Sequence, residues 1–302
     1  MNMRKLYLLL FVVVAQNAFA QQDPLYAQYL TNPMLFNPAY AGLNNALNAS
    51  LSFRNQWTGY EGNPQTANFN GHISLVDNKV GLGGMVIRDV LGPTANNEAH
   101  LLASYKIKLD ANNKYLLSFG MQAGVVNSTN QYSKLHLDNL SDPSFPQKMN
   151  FTWPNIGFGA ILMGEKFLVG VSVPRMLKAK STDGGFLYNQ HLYFFTSYVH
   201  YLGTRLRLKP SLLLRGVQGA PLSADVNFNI NIDTKYTAGI FVRNFNAYGV
   251  LAQAWFKDKF RLGYAVEFPS GKTAGASFTS HEITLGLKTA VLNSHDREFK
   301  EF

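Results

Sequence analysis

The residues in this chain with the most chemical potential form short, incomplete motifs. Ser270-Gly271-Lys272-Thr273 has the ending of a loop whose backbone N–H groups and lysine cradle phosphates. The first glycine of such a loop would stand at position 266, which is Val266, so the segment reads as part of an outer loop. Gly81, Gly83 and Gly84 begin like a dinucleotide turn, but the last glycine that turn requires is Val86. His281-Glu282 opens a zinc-binding helix only if histidine follows at 285, which is Leu285. Asn-x-Ser/Thr triplets at Asn48, Asn127, Asn139 and Asn150 mean little behind a bacterial-type export signal. With seven scattered histidines, no cysteine and no paired carboxylates at a defined spacing, the chain reads as no enzyme. No cofactor, metal or disulfide is expected.

A row of cations is more informative. Arg205, Arg207, Lys209 and Arg215 share one parity, while Leu206, Leu208, Leu212 and Leu214 share the other. On the same face of other segments stand Arg54, Lys106, Lys108, Arg243, Arg261 and Lys288, against the acids Glu98, Asp225, Glu267 and Glu282. Such a face either pairs its charges internally or attracts an anionic solute or an acidic partner segment. Nucleic acid is not expected as a partner despite the pI near 9.5.

The elements that must carry these residues are strands. Tyr115, Leu117, Phe119 and Met121 alternate with Ser118, Gly120 and Gln122; Val226, Phe228 and Ile230 alternate with Asp225, Asn227 and Asn229. Period-two alternation of this kind marks strands with one wet and one apolar face. Strands are expected near 45–56, 65–75, 79–88, 97–108, 114–126, 154–163, 167–174, 190–201, 205–215, 222–231, 235–243, 247–256, 260–268 and 281–292. That is an even set of about 14, with 12 or 16 the neighbouring options for a barrel. The segment near 79–88 is weakly patterned, and Pro210 on the apolar parity costs a ladder bond or marks a bulge.

Composition agrees. Charged residues make up 15% of the 302 residues, aromatics 13%, and mean hydropathy is −0.08. Soluble domains carry roughly 25% charge, so a soluble sandwich or propeller fits less well than a transmembrane antiparallel β-barrel. Short connections such as Val76-Asp77-Asn78 and Lys257-Asp258-Lys259 alternate with longer ones, including Asn127–Trp153, Arg175–Asn189 and Pro269–Ser280. The links Gly216–Pro221 and Asn244–Asn246 are short exceptions. Short periplasmic turns and longer outer loops are the rule in outer-membrane barrels and would put both termini in the periplasm. Tyr105, Tyr115, Tyr201, Tyr236, Tyr248 and Phe268 near strand ends would form the aromatic girdles against lipid.

Arg4 and Lys5 precede an apolar run from Leu6 to Ala15, and Ala18-Phe19-Ala20 forms a cleavage site before Gln21. The run falls short of the about 20 residues a spanning helix needs. The expected organisation is a cleaved signal peptide at 1–20, an N-terminal periplasmic or plug segment at 21–44, the barrel at 45–292 and a periplasmic tail at 293–302. Removing the signal lowers the formal charge of +9 by two. Prolines at 24, 33 and 38 forbid a long helix in 21–44, and Tyr26, Tyr29, Phe36 and Tyr40 require a docking place.

Several motifs in this chain occur together. Gln22-Asp23-Pro24, Tyr26 and Gln28-Tyr29 are followed by Asn32-Pro33 and by Asn37-Pro38-Ala39-Tyr40-Ala41-Gly42. Arg54-Asn55-Gln56-Trp57, Gly59, Gly62, Pro64 and Thr66 continue the series, and His281-Glu282-Ile283 with Leu285 closes it. The set resembles the PorP/SprF family of outer-membrane proteins in the type IX secretion and gliding systems of Bacteroidetes. The resemblance implies a barrel that works with the translocon and retains a secreted adhesin or other cargo through the cargo's C-terminal domain. In some members the contact is to the periplasmic ring. Arg54, Gln56, Trp57, Gly59, Tyr60 and Pro64 fall at the first outer loop, where the aromatics either contact cargo, fold inward or anchor the loop at the membrane interface. The remaining readings are a passive porin or anion-selective channel, with the Arg/Lys row as its filter, and a barrel that only braces a larger assembly.

Overall fold

The computed structural model describes residues 32–111, 114–131, 149–177, 179–180, 186–188, 190–217, 220–270 and 278–295. The signal segment with Ala20 and Gln21 lies outside the described residues, as do Gln22, Asp23, Pro24, Tyr26, Gln28, Tyr29, the stretch 271–273 and the tail from 296 onward.

Alternating polar and apolar side chains build β1 (Leu47–Asn55), β2 (Gln65–Leu75), β3 (Val80–Leu91), β4 (Thr94–Lys108), β5 (Leu116–Asn130), β6 (Met149–Met163) and β7 (Phe167–Val173). They are followed by β8 (His191–Tyr198, resuming as His200–Tyr201), β9 (Leu206–Val217), β10 (Ser223–Ile232), β11 (Tyr236–Arg243), β12 (Ala247–Phe256), β13 (Phe260–Pro269) and β14 (Ser280–Thr289). Each strand pairs with its sequence neighbour, and β1 pairs antiparallel with β14 from Leu47↔Thr289 to Asn55↔His281. The result is a closed 14-stranded antiparallel barrel. Closure removes both sheet edges, so the ladder runs round the barrel, the condition for a sheet in lipid.

Outward positions are apolar: Phe53, Phe69, Val86, Leu101, Phe119, Phe158, Ile240 and Leu285 are all exposed. Tyr105, Tyr115, Tyr236, Tyr248 and Phe268 share that outer face, and Tyr248 stacks on Phe268 with centroids 5.6 Å apart. Tyr201 departs from expectation. It pairs with Arg207, on the inner parity at the short-turn rim, so it is no part of the outer girdle.

The short turns put Asp77, Asn78, Asp233 and Asp258 in the left-handed region that short polar side chains tolerate. At the opposite end the strands run further than their hydrophobic pattern. β5 reaches Asn130 and β6 begins at Met149, so the expected loop from Asn127 to Trp153 starts as ladder. Its polar residues pair with one another, as in Asn127 Nδ2 donating to Asn150 Oδ1 at 2.6 Å, which keeps the sheet going where lipid contact no longer dictates the sequence. The β3–β4 link tightens to Gly92-Pro93. Within 175–189 a small ribbon pairs Ala179–Lys180 with Phe186–Tyr188.

Pro210 costs a ladder bond and creates no bulge. Ser197↔Ser211 and His200↔Leu208 keep one register on either side of it, and β8 lapses at Val199 between them.

The lumen is where sequence and structure part. β3–β9 carry inward apolar residues, and Met85, Ile87, Leu102, Ile161, Leu168, Phe195 and Leu213 form a core with Met34, Phe36, Ala39, Tyr40, Ala41 and Leu43. Two 3₁₀ turns, Pro33–Leu35 and Pro38–Tyr40, shape this N-terminal insert inside the barrel.

Candidate functional site

The insert is held by a seat built from the smallest residues on the inner wall. Asn37 accepts a 3.0 Å bond from Ala39 N on its Oδ1. Its Nδ2 reaches Ala160 O at 3.3 Å and Val171 O at 3.2 Å, on two adjacent strands. Three hydroxyls then meet the insert's carbonyls in succession: Ser172 to Phe36 at 2.6 Å, Ser118 to Ala39 at 2.7 Å and Ser104 to Ala41 at 2.6 Å. Lys106 Nζ closes the row on Gly42 O at 2.5 Å, and His72 Nδ1 accepts from Gly42 N at 2.9 Å. The prolines at 33 and 38 have no N–H, and the carbonyls that the bent chain leaves open are met from the wall.

Close approach needs glycine. A Cβ on Gly120 would lie 2.2 Å from Ala39 N, one on Gly81 2.0 Å from Ala41 O, and one on Gly159 2.1 Å from Asn37 Oδ1. The weak pattern of β3 therefore has a cause: Gly81 leaves room for the insert.

The expected cationic lumen resolves into distinct clusters. Toward the loop end Arg54 Nη2 bonds Glu267 at 3.0 Å and Arg54 Nη1 lies 3.5 Å from Glu282. Arg243 bridges Glu267 at 2.7 Å and Asp225 at 3.1 Å. Arg54 is thus a buried wall residue, 1% exposed, and not part of the first outer loop. Its parity in β1 turns it inward before the loop begins. A second cluster was not legible in sequence: Arg175, just after β7, folds into the lumen and reaches both Glu98 oxygens at 2.7 Å, with His100 Nε2 3.0 Å from Glu98. Gln122 and Asn155 both donate to Pro174 O, pinning that turn inward.

Arg205 does not join them. It precedes β9 at the short-turn rim with its side chain 75% exposed, paired to Asp233 at 2.5 Å. That bond holds the Asp233 carboxyl below its ordinary value. Arg207 lies over the Tyr201 ring at 5.4 Å, Arg215 bonds Ser223 at 3.1 Å, and Lys108 is exposed at the short-turn end of β4. Lys209, Arg261 and Lys288 line a separate cavity.

The first outer loop is tied across the barrel seam. Gln56 N bonds Pro64 O at 2.9 Å, Trp57 N bonds Ser280 Oγ at 3.2 Å and Thr58 N bonds Thr279 O at 2.8 Å. Gly59 and Gly62 take φ of 97° and 71°, and Tyr60 packs edge-on to Phe278 at 5.7 Å. Trp57 and Tyr60 remain exposed. His281 faces outward to Tyr264 at 2.6 Å while Glu282 faces the lumen, so the pair shares no ligand site. Among the described residues no group of three or more His, Cys, Asp and Glu side chains is placed to hold a metal ion.

Residues 18–287 match the family model described as type IX secretion system membrane protein PorP/SprF. The chain belongs to this family. Its members are membrane proteins of a secretion system and not an enzyme class, and the insert's Asn37–Gly42 motif falls within the matched span. Among solved structures, a Pseudomonas aeruginosa FadL homologue has 11% identity and a TM-score of 0.51, covering 85% of this chain and 93% of its own. The Ralstonia pickettii toluene transporter TbuX has 9% identity and a TM-score of 0.50 over the same shares, 85% and 93%. Both have the barrel fold, and at that identity the likeness extends no further. No curated protein matches the chain.

Proposed function

We propose that this chain is an outer-membrane barrel of the type IX secretion and gliding machinery that binds a secreted surface protein. It helps to export that protein, or to anchor it at the cell surface, by engaging its C-terminal domain. Family membership supports the system, and one structural observation carries the protein-binding reading: the lumen beside β3–β9 is occupied by a hydrogen-bonded insert of the chain itself. A lumen filled in this way suits a partner-binding barrel better than a solute pore.

In this reading the signal peptide is cleaved between Ala20 and Gln21, and the short turns and both termini face the periplasm. The seam-tied loop with Trp57 and Tyr60 then faces outward toward cargo. The insert joins β1 at the short-turn rim, which in this reading faces the periplasm, where translocon or ring components would meet the barrel.

The test is a clean deletion strain whose surface proteins are compared with the parent by protease shaving and mass spectrometry. Loss of one or a few secreted surface proteins, restored by the wild-type chain, is expected. An unchanged surface proteome would overturn the proposal.

A further inference from the structure

Barrel closure leaves one stretch of strand edge open. β6 pairs with β5 from Met163 back to Met149, but β7 follows β6 only to Phe158↔Val173. Past that pair Met176 N bonds Ile156 O at 2.9 Å. Among the described residues no further strand runs beside Met149–Pro154. This stretch lies at the end opposite the short turns, where the ladder outruns the lipid-facing pattern.

The hydrogen-bond phase shows what the edge offers. In antiparallel strands alternate residues bond to one neighbour and the residues between them to the other. Gln131 N bonds Pro93 O at 2.9 Å, which turns the odd residues of β5 toward β4 and the even ones toward β6. Val126, Ser128 and Asn130 therefore bond Trp153, Phe151 and Met149. The even residues of β6 turn the other way, as Ile156 does toward Met176. Asn150 and Thr152 thus present both N–H and C=O at the edge, and Pro154 presents its C=O. Pro154 stands where its missing N–H costs the barrel no ladder bond.

The side chains suit pairing as well. Exposed edges are commonly guarded by charge, and Met149–Ile156 carries none. Met149, Phe151 and Trp153 make a half-buried row on one face, while Asn150, Thr152 and Pro154 are exposed on the other. Asn127 Nδ2 donates to Asn150 Oδ1 at 2.6 Å and to Thr152 Oγ1 at 2.8 Å, so β5 braces the edge from behind. A braced, uncharged edge takes up an extended polypeptide through main-chain bonds, and alternate side chains pack on its apolar row.

We propose that Met149–Pro154 is a β-augmentation site, at which an extended segment of a partner protein adds as a strand beside β6. The site deepens the partner-binding reading given above and rests on it. The segment it fits has no proline at its bonding positions and apolar side chains at alternate ones, to cover Met149, Phe151 and Trp153. A second copy of this chain would bring Pro154 with it, which cannot donate and leaves a gap in any register that includes it. A separate partner strand has no such gap.

The experiment follows backbone amides in the full chain. In the purified barrel in nanodiscs, hydrogen exchange at residue resolution should be about tenfold or more faster at Asn150 and Thr152 than at Phe151 and Trp153. In the complex recovered from native membranes the two edge amides should slow by a similar factor. Thr152→Pro removes an edge N–H without touching the β5 ladder, and should lower partner recovery about threefold to tenfold. Thr152→Ala keeps that N–H and should leave recovery unchanged. Heat-modifiable gel mobility reports that each variant barrel is closed, and the exchange comparison needs no variant. Protected edge amides in the purified barrel overturn the site, because the chain then covers its own edge. Cross-links through Asn150→Cys that join two barrels in place of the partner overturn it too. A complex whose edge amides exchange as in the free barrel overturns the site and leaves the partner-binding reading standing. A barrel recovered alone from secreting cells overturns both.

Discussion

The hydroxyl of Ser118 donates a 2.7 Å hydrogen bond to the carbonyl of Ala39, joining β5 to the insert across 79 positions of sequence. Gly120, on the same face of β5, lies where any Cβ would strike the Ala39 backbone. Hydroxyl and glycine together make the wall complementary to the Asn-Pro-Ala-Tyr motif, one by bonding it and the other by leaving space.

Gly120→Val should expel the insert without opening the barrel, since the clash at 2.2 Å is with backbone and cannot be relieved by a rotamer change. Limited proteolysis should cut within 32–44 in the variant and spare those residues in the wild type. Planar-bilayer conductance should rise with it. Equal protection in both proteins would contradict the seat.

Asn37→Ala removes three hydrogen bonds that span two strands and a turn. The insert should dock about 1–3 kcal/mol less tightly, the usual cost of leaving buried partners unpaired. Hydrogen exchange of residues 38–43, followed by mass spectrometry, should accelerate by one to two orders of magnitude at the upper part of that range, with the β12–β14 amides unaffected.

Arg54→Met leaves Glu267 and Glu282 facing each other with one cation fewer. Breaking a buried pair from one side costs about 3–5 kcal/mol. Urea unfolding should show a loss of that order, and adding Glu282→Gln should restore part of it. A loss no larger than that of a surface substitution would contradict the buried placement of Arg54.

Arg205→Ala tests the rim. Asp233 is held below its ordinary pKa chiefly by the bond from Arg205, so the variant should titrate closer to the ordinary value. The sign follows: a depressed carboxyl stabilises the fold above its unfolded pKa, and that contribution fades as pH falls through the lower folded value. The effect on stability should be small because the pair is exposed to solvent. Ion selectivity of any residual conductance should not change.

The barrel was readable because each strand repeats its message locally. Leu51 and Phe53 outside, with Ser52 and Arg54 inside, give the same answer in β1 that Val226 and Asn227 give in β10. Arg205 departs from the expected lumen row because side-chain parity can be extended back beyond the start of β9, whereas the lumen ends there. Arg54 was legible by its parity and misassigned by its nearness to the loop motif. The seat was present in sequence as inward-parity Gly81, Ser104, Ser118, Gly120, Gly159, Gly170 and Ser172, yet small residues face any crowded lumen. Their shared partner becomes visible only once the insert is in place. Arg175 and Glu98 lie 77 positions apart, and no local period announces such a contact.

Holding a protein partner is the function proposed for this barrel. Affinity capture of the tagged chain from native membranes, under mild detergent and with mass-spectrometric identification, tests it most directly. Near-stoichiometric recovery of a secreted surface protein or a type IX component is predicted, with recovery reduced by Trp57→Ala/Tyr60→Ala in the first outer loop if that partner is the cargo. Recovery of the barrel alone, from membranes where it is folded and the secretion system is active, would contradict it.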